Sequence, residues 1–412
     1  MTSATIDQIA PSPVYLADHK TLEAKPVRNL VLLGLWPFML GFVRRCNEAG
    51  IAIHLIRIAD QPLKEPRKAP WLASNEGTIF RNEIGTQAAL ERILRFARTV
   101  DADAICTVEE FALLWLDRHR DQFEPECRLM TPSTESLEQL RDKSKQISLA
   151  RRAGFAVLDS WLLHSAADVA AIPDSAFPVC LRPARLNAIR AQFKAKRLDT
   201  REQLSAFLAS LKEKGSTLIA QPYCLGPNIV LHAARSISGK IEAMDSFRAY
   251  RKYDCLALSL ERYALSGEIM DAARRFADLA GIYGPFHFDL LQSAETGEVF
   301  FLEINYRMGG TTAKVEGLGY DEPMLALSSF GLVPPRCPKP LVSKSRVTSK
   351  RTLVSQLASV RKKAPRHMDF PQASRARTVL SNLREIATVP DPLISLRDLR
   401  GTWLYLARGM NM

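Results

Sequence analysis

The chain has 412 residues, of which 47% are hydrophobic and 24% are charged. These values are ordinary for a folded protein and exclude a mostly disordered, collagen-like or coiled-coil chain, while the length predicts two or three domains. The longest apolar run, residues 30–43, is too short to cross a bilayer. The first 25 residues lack the basic and apolar segments of a signal peptide, and the seven cysteines form no CxxC pair. A cytoplasmic protein with reduced thiols is therefore expected.

The formal net charge of +12 is confined to the end of the chain. From residue 336 onward, 16 Lys or Arg residues face four acidic residues, whereas the first 335 residues are balanced. A basic surface typical of nucleic-acid binding is therefore not expected on the body of the protein. The basic residues define a separate C-terminal extension over residues 335–412.

The N-terminal third predicts a parallel sheet. Residues 1–25 carry no periodic apolar pattern and are interpreted as a flexible leader. Over residues 26–133, strands alternate with helices, which is typical of a doubly wound α/β sheet and predicts a Rossmann-like domain. The predicted strands are 30–35, 51–58 and 103–107, and the predicted helices are 38–49, 87–100 and 109–119.

Residues 134–334 predict a second domain of a different class. A helix is expected over residues 134–153, where Gly154 ends it. The strands that follow resemble antiparallel units with inserted helices, so the fold class changes from α/β to α+β near residue 134. The predicted strands are 178–182, 217–221, 229–236, 240–246, 286–291 and 299–304, and the predicted helices are 200–213 and 268–280.

The segment most informative about chemistry is GPFHFDLLQSAETGEVFFLEINYRMGG, residues 284–310. Two strands flank a turn, and period-two alternation predicts that Asp289 lies beside Glu303 and Asn305. Two carboxylates and an amide oxygen suit Mg²⁺ carrying a polyphosphate, and Arg307 would add a fixed positive charge. An ordinary half-buried hairpin with a polar outer face is the alternative. The opposite face is predicted to carry Phe300, Leu302, Ile304 and Tyr306.

This order of residues resembles the metal-binding end of the ATP-grasp superfamily, which includes biotin carboxylase, carbamoyl phosphate synthetase and D-alanine–D-alanine ligase. The resemblance implies that Asp289, Glu303 and Asn305 hold two Mg²⁺ ions, with Mn²⁺ as a substitute, on the phosphates of ATP. It also implies that Arg307 assists an acyl-phosphate step. The two domains would then be a pre-ATP-grasp domain over 26–133 and an ATP-grasp domain over 134–334.

Three further motifs resemble the superfamily in the expected order. RDKSKQISLARRAGF is similar to its DK motif, which implies that Lys143 touches phosphates; a solvated helix charge is the alternative. FPVCLRPA is similar to its lysine strand, with Arg182 in place of the lysine. LIAQPYCLGPN is similar to the hinge that binds adenine, although an edge strand ending at Pro222 is the alternative. The hinge residues implied to bind the nucleotide are Gln221, Pro222, Tyr223, Cys224 and Asn228, the last in place of an acidic residue.

The glycine-rich loop that many members carry after the lysine strand is missing. Five basic residues stand in its place, and we predict that Lys194 and Lys196 close over the phosphates in place of backbone N–H groups. Adaptation to another anionic substrate and impaired nucleotide binding are the alternatives. The five residues are Arg185, Arg190, Lys194, Lys196 and Arg197.

The basic tail contains a candidate amphipathic helix within residues 343–366. Such a helix would lie on an anionic membrane surface or an acidic carrier protein, and solvated disorder is the alternative. Nucleic acid is not favoured, because no aromatic residues are interleaved with the charges. We therefore expect the ATP chemistry to be independent of the tail. The apolar residues of this helix are Leu353, Val354, Leu357 and Val360.

The resemblance implies an ATP-dependent ligase. A small-molecule carboxylate would be phosphorylated by MgATP to an acyl phosphate, which an amine substrate would attack to form an amide with release of ADP and phosphate. An ATP-grasp kinase acting on a hydroxyl is one alternative, and a catalytically weakened nucleotide- or anion-binding module is another. A homodimer is compatible with each of these functions.

Overall fold

A computed structural model describes residues 27–35, 37–60, 71–124, 126–184, 193–211, 217–334, 344–362 and 366–407. The predicted leader lies outside the described residues, as do Arg185 and Arg190 of the basic segment. The strands are β1 (Asn29–Leu33), β2 (Ala52–Ala59), β3 (Ser74–Phe80), β4 (Ala104–Thr107), β5 (Arg128–Leu129), β6 (Ala156–Val157), β7 (Trp161–Leu163), β8 (Val179–Pro183), β9 (Lys196–Leu198), β10 (Leu218–Pro222), β11 (Asn228–Arg235), β12 (Ile241–Tyr253), β13 (Leu256–Arg262), β14 (Gly284–Gln292), β15 (Val299–Asn305) and β16 (Arg346–Thr348). The α-helices are α1 (Met39–Glu48), α2 (Gln87–Thr99), α3 (Glu110–Asp117), α4 (Arg120–Phe123), α5 (Thr134–Leu140), α6 (Lys143–Ala153), α7 (Arg201–Ser210), α8 (Gly267–Ala280), α9 (Thr312–Gly317), α10 (Glu322–Ser329), α11 (Lys350–Arg361), α12 (Arg375–Thr388) and α13 (Leu399–Leu406).

The first sheet is parallel, as the alternation of strands and helices predicts. Its order is β3-β2-β1-β4-β5. Leu30 and Leu32 of β1 pack in one core with α1, and Val31 and Leu33 pack in another with α2 and α3. Helices therefore cover both faces, which is why β1 is apolar at successive positions. Strand β3 was missed by the sequence analysis because it is a polar strand at the sheet edge.

The rest of the chain builds two further sheets. The smaller has the order β7-β10-β8-β9, and the larger has the order β16-β13-β12-β11-β14-β15-β6. Their pairs are antiparallel except for β15 with β6, which is parallel. Phe276 of α8 packs edge-on against Phe288 of β14 and stacks on Phe301 of β15. This aromatic core packs behind the hairpin formed by β14 and β15.

The single helix predicted over residues 134–153 is wrong, because two helices occupy this stretch. Helix α5 ends at Leu140, and Asp142 caps α6 by accepting a hydrogen bond from the Ser144 N–H at 2.9 Å. The backbone N–H of Lys143 then donates to the carbonyl of Ala184 at 3.0 Å. The break therefore puts Lys143 in the first turn of α6, beside the end of β8.

The described residues of the basic tail are folded onto the body, so the alternative of solvated disorder is wrong for them. Strand β16 pairs with β13 and becomes the edge of the larger sheet. On α11, Leu353 is fully buried, Val360 is nearly so, and Val354 is 52% exposed. The predicted helix exists, but its main apolar side faces the protein rather than a membrane or a carrier. No helix in the described part of the chain is long and apolar enough to cross a membrane.

Candidate active site

A cavity of about 1270 Å³ lies where the three sheets meet. Its walls come from the smaller sheet, the larger sheet and the first turn of α6. Asp60, Arg81 and Phe111 of the N-terminal region close one end, and Met368 of the tail also lines it. Most of the predicted site residues line this cavity, namely Lys143, Arg182, Lys194, Gln221, Pro222, Tyr223, Cys224, Asn228, Asp289 and Glu303.

Strands β14 and β15 bring the predicted metal ligands together. Asp289 is paired directly with Glu303, and two positions along, on the same face of the hairpin, His287 is paired with Asn305. The side-chain amide nitrogen of Asn305 donates to Oδ2 of Asp289 at 3.0 Å. The side chains of Asp289, Glu303 and Asn305 therefore lie on one face of the hairpin. The amide oxygen of Asn305 takes no part in the hydrogen bond to Asp289.

A β-bulge corrects the predicted faces of β15. The register shifts between Asp289 and Leu290, so that Leu290 pairs with Phe301 and Leu302 has no partner. Leu302 and Glu303 consequently both line the cavity, whereas Phe301 is fully buried in the core. The prediction that Phe300 and Leu302 share a face with Ile304 and Tyr306 was wrong, because one unpaired residue reverses the alternation on that side of the bulge.

Cations surround Glu303 more closely than Asp289. The ammonium of Lys143 lies 2.6 Å from Oε2 of Glu303, and the guanidinium of Arg182 lies 3.8 Å from the same atom. Burial would raise the pKa of Glu303, but these two cations outweigh it and hold the pKa below its usual range. For Asp289, burial and the neighbouring charge of Glu303 raise the pKa. Glu303 is therefore the residue of this pair that stays ionised most readily.

Arg182 is held in place by the protein rather than left mobile. One guanidinium nitrogen donates to Oε1 of Gln221 at 2.7 Å and to the carbonyl of Leu302 at 3.3 Å. Gln221 is nearly buried and donates in turn to the hydroxyl of Ser160 at 2.9 Å. The side chain of Gln221 thus fixes Arg182. The contact with a nucleotide base that is implied for Gln221 would therefore have to come from the backbone of Gln221.

The donors around Asp289 fit a hard divalent cation. Two carboxylates and an amide oxygen are the chemistry that Mg²⁺ prefers. Gln146 of α6 clamps β15 at this point, since it accepts from the Ile304 N–H at 3.1 Å and donates to the Ile304 carbonyl at 3.3 Å. The strand that carries Glu303 and Asn305 is thereby fixed from behind.

The predicted hinge forms another part of the cavity wall. The Tyr223 N–H donates to the carbonyl of Pro178 at 2.8 Å, which continues the contact between β10 and the strand before it. A Cβ at Gly226 would lie only 1.8 Å from the carbonyl oxygen of Gln292, so only glycine allows this turn to pack on the larger sheet. Beyond the turn, Asn228 accepts a hydrogen bond from the ammonium of Lys252 at 3.0 Å.

Lys252 is a cavity residue that the sequence analysis missed. The predicted strand ended at residue 246, whereas β12 continues to Tyr253 and carries Lys252 into the cavity. Burial lowers the pKa of Lys252. The alternation of side chains along a longer strand was the signal that could have identified it.

The basic segment divides into residues that face the cavity and residues that do not. Lys194 lines the cavity. The ammonium of Lys196 lies over the ring of Phe207, 4.1 Å from its centroid, and Lys196 does not line the cavity. The guanidinium of Arg197 lies 4.5 Å from the ring centroid of Tyr223. The structure thus separates Lys196 from Lys194, which had been predicted to act together.

Arg307 lies next to the cavity rather than in its wall. It borders a narrow cleft with Glu303 and Asn305, and its guanidinium donates to the carbonyl of Met308 at 3.2 Å. A Cβ at Gly309 would lie 2.5 Å from the His287 ring, so this glycine lets the chain turn tightly after Arg307.

A buried histidine network that the sequence analysis missed supports the turn after Arg307. The rings of His232 and His287 stack with centroids 4.7 Å apart, and the two nitrogens of His232 lie 2.8 Å from Glu322 and 2.9 Å from Thr311. Potential ligand atoms of the two histidines and Glu322 lie within 4.8 Å of one another. Lone pairs of stacked rings lie in parallel planes and do not converge on one ion, so we interpret this cluster as a hydrogen-bonded support.

The tail forms part of the cavity wall. Met368 lines the cavity, and the Tyr223 hydroxyl donates to the carbonyl of His367. The backbone of Phe370 exchanges two hydrogen bonds with that of Lys252, at 2.9 and 3.1 Å. The expectation that the chemistry is independent of the tail therefore conflicts with the arrangement of the cavity.

Comparison with known proteins places the fold. No protein-family model and no curated protein sequence matches the chain. Among solved structures, the biotin carboxylase domain dimer of 2-oxoglutarate carboxylase from Hydrogenobacter thermophilus, in complex with MgADP, ADP and bicarbonate, is 17% identical, with a TM-score of 0.59 over 74% of this chain and 69% of that one. The L-amino acid ligase from Bacillus licheniformis is 16% identical, with a TM-score of 0.57 over 75% of each chain. An ADP complex of N5-carboxyaminoimidazole ribonucleotide synthetase is 10% identical, with a TM-score of 0.61 over 89% of this chain and 98% of that one.

The chain has the ATP-grasp fold. The likeness extends over about three quarters of the chain or more in each of these pairs. In the ATP-grasp arrangement seen here, the smaller sheet supplies Arg182 and the larger sheet supplies Asp289 and Glu303. At these identities the likeness establishes the fold, and the chemistry depends on the residues that this chain brings to the cavity.

Proposed function

We propose that the protein is an ATP-dependent ligase that activates a carboxylate as an acyl phosphate and joins it to an amine. The observation that carries this proposal is the pairing of Asp289 with Glu303 across neighbouring strands, opposite Lys143 and Arg182 in a single large cavity. Carboxylates that can hold a divalent cation, together with fixed positive side chains, are what phosphoryl transfer from a nucleoside triphosphate requires.

The nucleotide would lie along the cavity from the hinge to the carboxylates. Asp289, Glu303 and Asn305 would hold Mg²⁺, two ions by analogy with the superfamily, and the metal would neutralise charge on the phosphates. Lys143, now 2.6 Å from Glu303, would turn to the phosphate oxygens when the metal neutralises that carboxylate. The base would lie at the hinge, where Tyr223 and Cys224 line the cavity.

The reaction would proceed in two steps. An oxygen of the substrate carboxylate attacks the γ-phosphorus, and the bond from that phosphorus to the bridging oxygen of ADP breaks. The amine nitrogen then attacks the acyl carbon, the bond from that carbon to the phosphate oxygen breaks, and the nitrogen loses its proton to solvent. Arg307, in the adjoining cleft, would stabilise the negative charge that develops on the transferred group.

The end of the cavity formed by the N-terminal region would bind the two substrates. Arg81 lies 3.1 Å from Asp60 and 3.2 Å from Glu109, with its guanidinium 4.5 Å from the ring centroid of Phe111. A cation held between two carboxylates presents both signs of charge at one place. Such a surface suits substrates that carry a carboxylate and an amine, as amino acids do.

The test is turnover of MgATP with a mixture of the standard amino acids. Release of ADP and phosphate together with an amide product is expected for the wild type, and Glu303→Gln is expected to lower kcat by at least about 100-fold. Glu298→Gln in the exposed turn of the same hairpin is the matched control. An unchanged kcat in Glu303→Gln would overturn the site. A phosphorylated acceptor in place of an amide would instead identify a kinase, and binding without turnover would identify a nucleotide-binding module.

A further inference from the structure

A second cleft, of about 310 Å³, lies on the far side of β12 from the large cavity. We call it the arginine cleft because Arg251, Arg366, Arg377 and Arg384 all line it. Among the described residues, no aspartate or glutamate lines the cleft. Its volume is at the lower end of the range for small-molecule sites.

Two of the four arginines are neutralised by the protein. Arg251 lies 3.2 Å from Oε2 of Glu385, and Arg366 donates to Asp369 at 2.9 Å. Arg366 also donates to the Thr378 hydroxyl at 2.7 Å. These two guanidinium groups hold the tail against β12, and their positive charges are balanced by Glu385 and Asp369.

The other two arginines carry uncompensated charge. Arg377 and Arg384 are seven residues apart on α12, which places them on one side of the helix, and both are exposed. Neither guanidinium is within ion-pair or hydrogen-bond distance of another side chain in the described part of the chain. Counting the described residues, the cleft therefore has two positive charges in excess.

The remaining lining is apolar. Phe370 and Pro371 form one wall, and Leu380, 70% exposed, stands between the two unpaired arginines in sequence. Guanidinium groups bind carboxylate and phosphate oxygens through paired N–H donors, and an exposed leucine beside them favours a ligand with an apolar part. We propose that the arginine cleft binds a small organic anion, a carboxylate or a phosphate ester, that carries a compact apolar group.

The arginine cleft and the large cavity share a wall. Arg251 lines the cleft and the next residue, Lys252, lines the large cavity, because successive side chains of β12 point to opposite faces. In the tail, Phe370 lines the cleft and Met368 lines the cavity. An anion bound in the cleft would therefore act on the segment that closes the large cavity and would change its affinity for MgATP. This coupling, unlike binding in the cleft, rests on the proposed function.

The first experiment measures binding of phenyl phosphate, benzoate and inorganic phosphate to the full chain by calorimetry in the presence of excess MgADP. Phenyl phosphate or benzoate is expected to bind more tightly than inorganic phosphate, and the tighter of the two identifies the preferred head group. Arg377→Gln/Arg384→Gln is expected to weaken that binding by about tenfold or more, since each charge-assisted contact contributes at least that much. The matched control is Arg375→Gln/Arg397→Gln, which removes two exposed charges outside the cleft.

Equal affinity in the wild type and in Arg377→Gln/Arg384→Gln would overturn the proposal, as would an equal loss in the control. Competitive displacement, in which the apparent dissociation constant of the probe rises in proportion to MgADP without levelling off, would also overturn it, because the probe would then occupy the large cavity. Binding only to vesicles that contain anionic lipid, without binding of the soluble probes, would assign the surface to a membrane and refute the small-anion site.

Melting curves of both variants verify folding, and a second variant, Leu380→Asp, is expected to abolish binding through charge repulsion. If MgATP does not bind at all, the proposed function fails while the binding experiment still decides the cleft.

Discussion

At the scale of single residues, the charges around Asp289 lower the stability of the metal-free fold at the place proposed to bind the metal. Asp289 is buried beside Glu303, and Lys143, Arg182 and Lys194 together hold the pKa of Glu303 below its usual range, whereas for Asp289 the charge of Lys194 does not offset burial. Burial and the charge of Glu303 raise the pKa of Asp289, so ionisation of this carboxyl destabilises the metal-free fold. A carboxylate that costs stability in the free protein gains most from a bound cation.

Asp289→Asn is expected to raise the melting temperature at pH 7 and to abolish ATP turnover. The folded-state pKa of Asp289 lies above its unfolded value, so the cost of ionisation is present above the folded pKa and disappears as the pH falls toward the unfolded one. The amide can still accept from Asn305. A gain of roughly 2 °C at pH 7, which corresponds to about 1 kcal/mol in a large domain, should shrink at acid pH in calorimetric scans. Asp159→Asn, at an exposed site, is the control, and a lower melting temperature for Asp289→Asn at pH 7 would contradict this account.

Lys194 and Lys196 provide a second contrast between two neighbouring residues. Lys194→Glu is expected to weaken MgATP binding by about tenfold, about 1.4 kcal/mol, because Lys194 lines the cavity. Lys196→Glu is expected to leave MgATP affinity nearly unchanged and to lose the contact with Phe207, at a cost of about 0.5–1 kcal/mol of stability. Calorimetric titrations at low and high salt test both statements, since added salt should reduce the difference between Lys194→Glu and the wild type. Equal loss of affinity in both variants would show that the two lysines act together after all.

At the scale of elements, the break between α5 and α6 positions Lys143 in the cavity wall. Asp142→Ala and Ser133→Ala each remove a helix cap, and each is expected to cost about 1 kcal/mol of stability. Only Asp142→Ala is expected to weaken MgATP binding, because Lys143 follows directly and reaches Glu303. Denaturant unfolding and calorimetry separate the two effects. Weakening of equal size in Ser133→Ala would mean that loss of affinity follows general destabilisation.

The elements with a clear period were predictable, and the local departures from it were not. Apolar alternation and helical spacing identified β1, α2 and α8 to within a few residues. The hairpin length was enough to predict that Asp289 lies beside Glu303, because side-chain faces follow from strand geometry. The lack of a strand partner for Leu302 could not be predicted, since a bulge changes the register without changing the composition. Lys252 was missed because the predicted strand ended at residue 246, whereas β12 continues to Tyr253 through its pairing with β13 and its bridge to Phe370.

At the scale of the whole molecule, the tail and the ATP-grasp sheets form one unit. Removal of residues 344–412 is expected to expose the edge of β13 and to take away Met368 from the cavity wall. The truncated chain should melt at a lower temperature and, at temperatures where circular dichroism shows it folded, should bind MgATP at least about tenfold more weakly. Calorimetry on the folded fraction measures this. An unchanged dissociation constant for MgATP would show that the tail is a separate extension with no part in nucleotide binding.

The core around α1 has a consequence for how the chain is made. Leu40 and Phe42 share a single apolar cluster with Leu393 and Tyr405, which lie more than 350 residues later, and Arg44 pairs with Asp398 at 2.8 Å. During synthesis the N-terminal sheet leaves the ribosome long before the residues that cover α1 have been translated. Until residues 393–405 have left the ribosome, that apolar surface stays open to water and to other nascent chains. Folding of this core therefore waits for residues translated far later, and a ribosome that stalls before residue 393 leaves a long polypeptide with α1 uncovered.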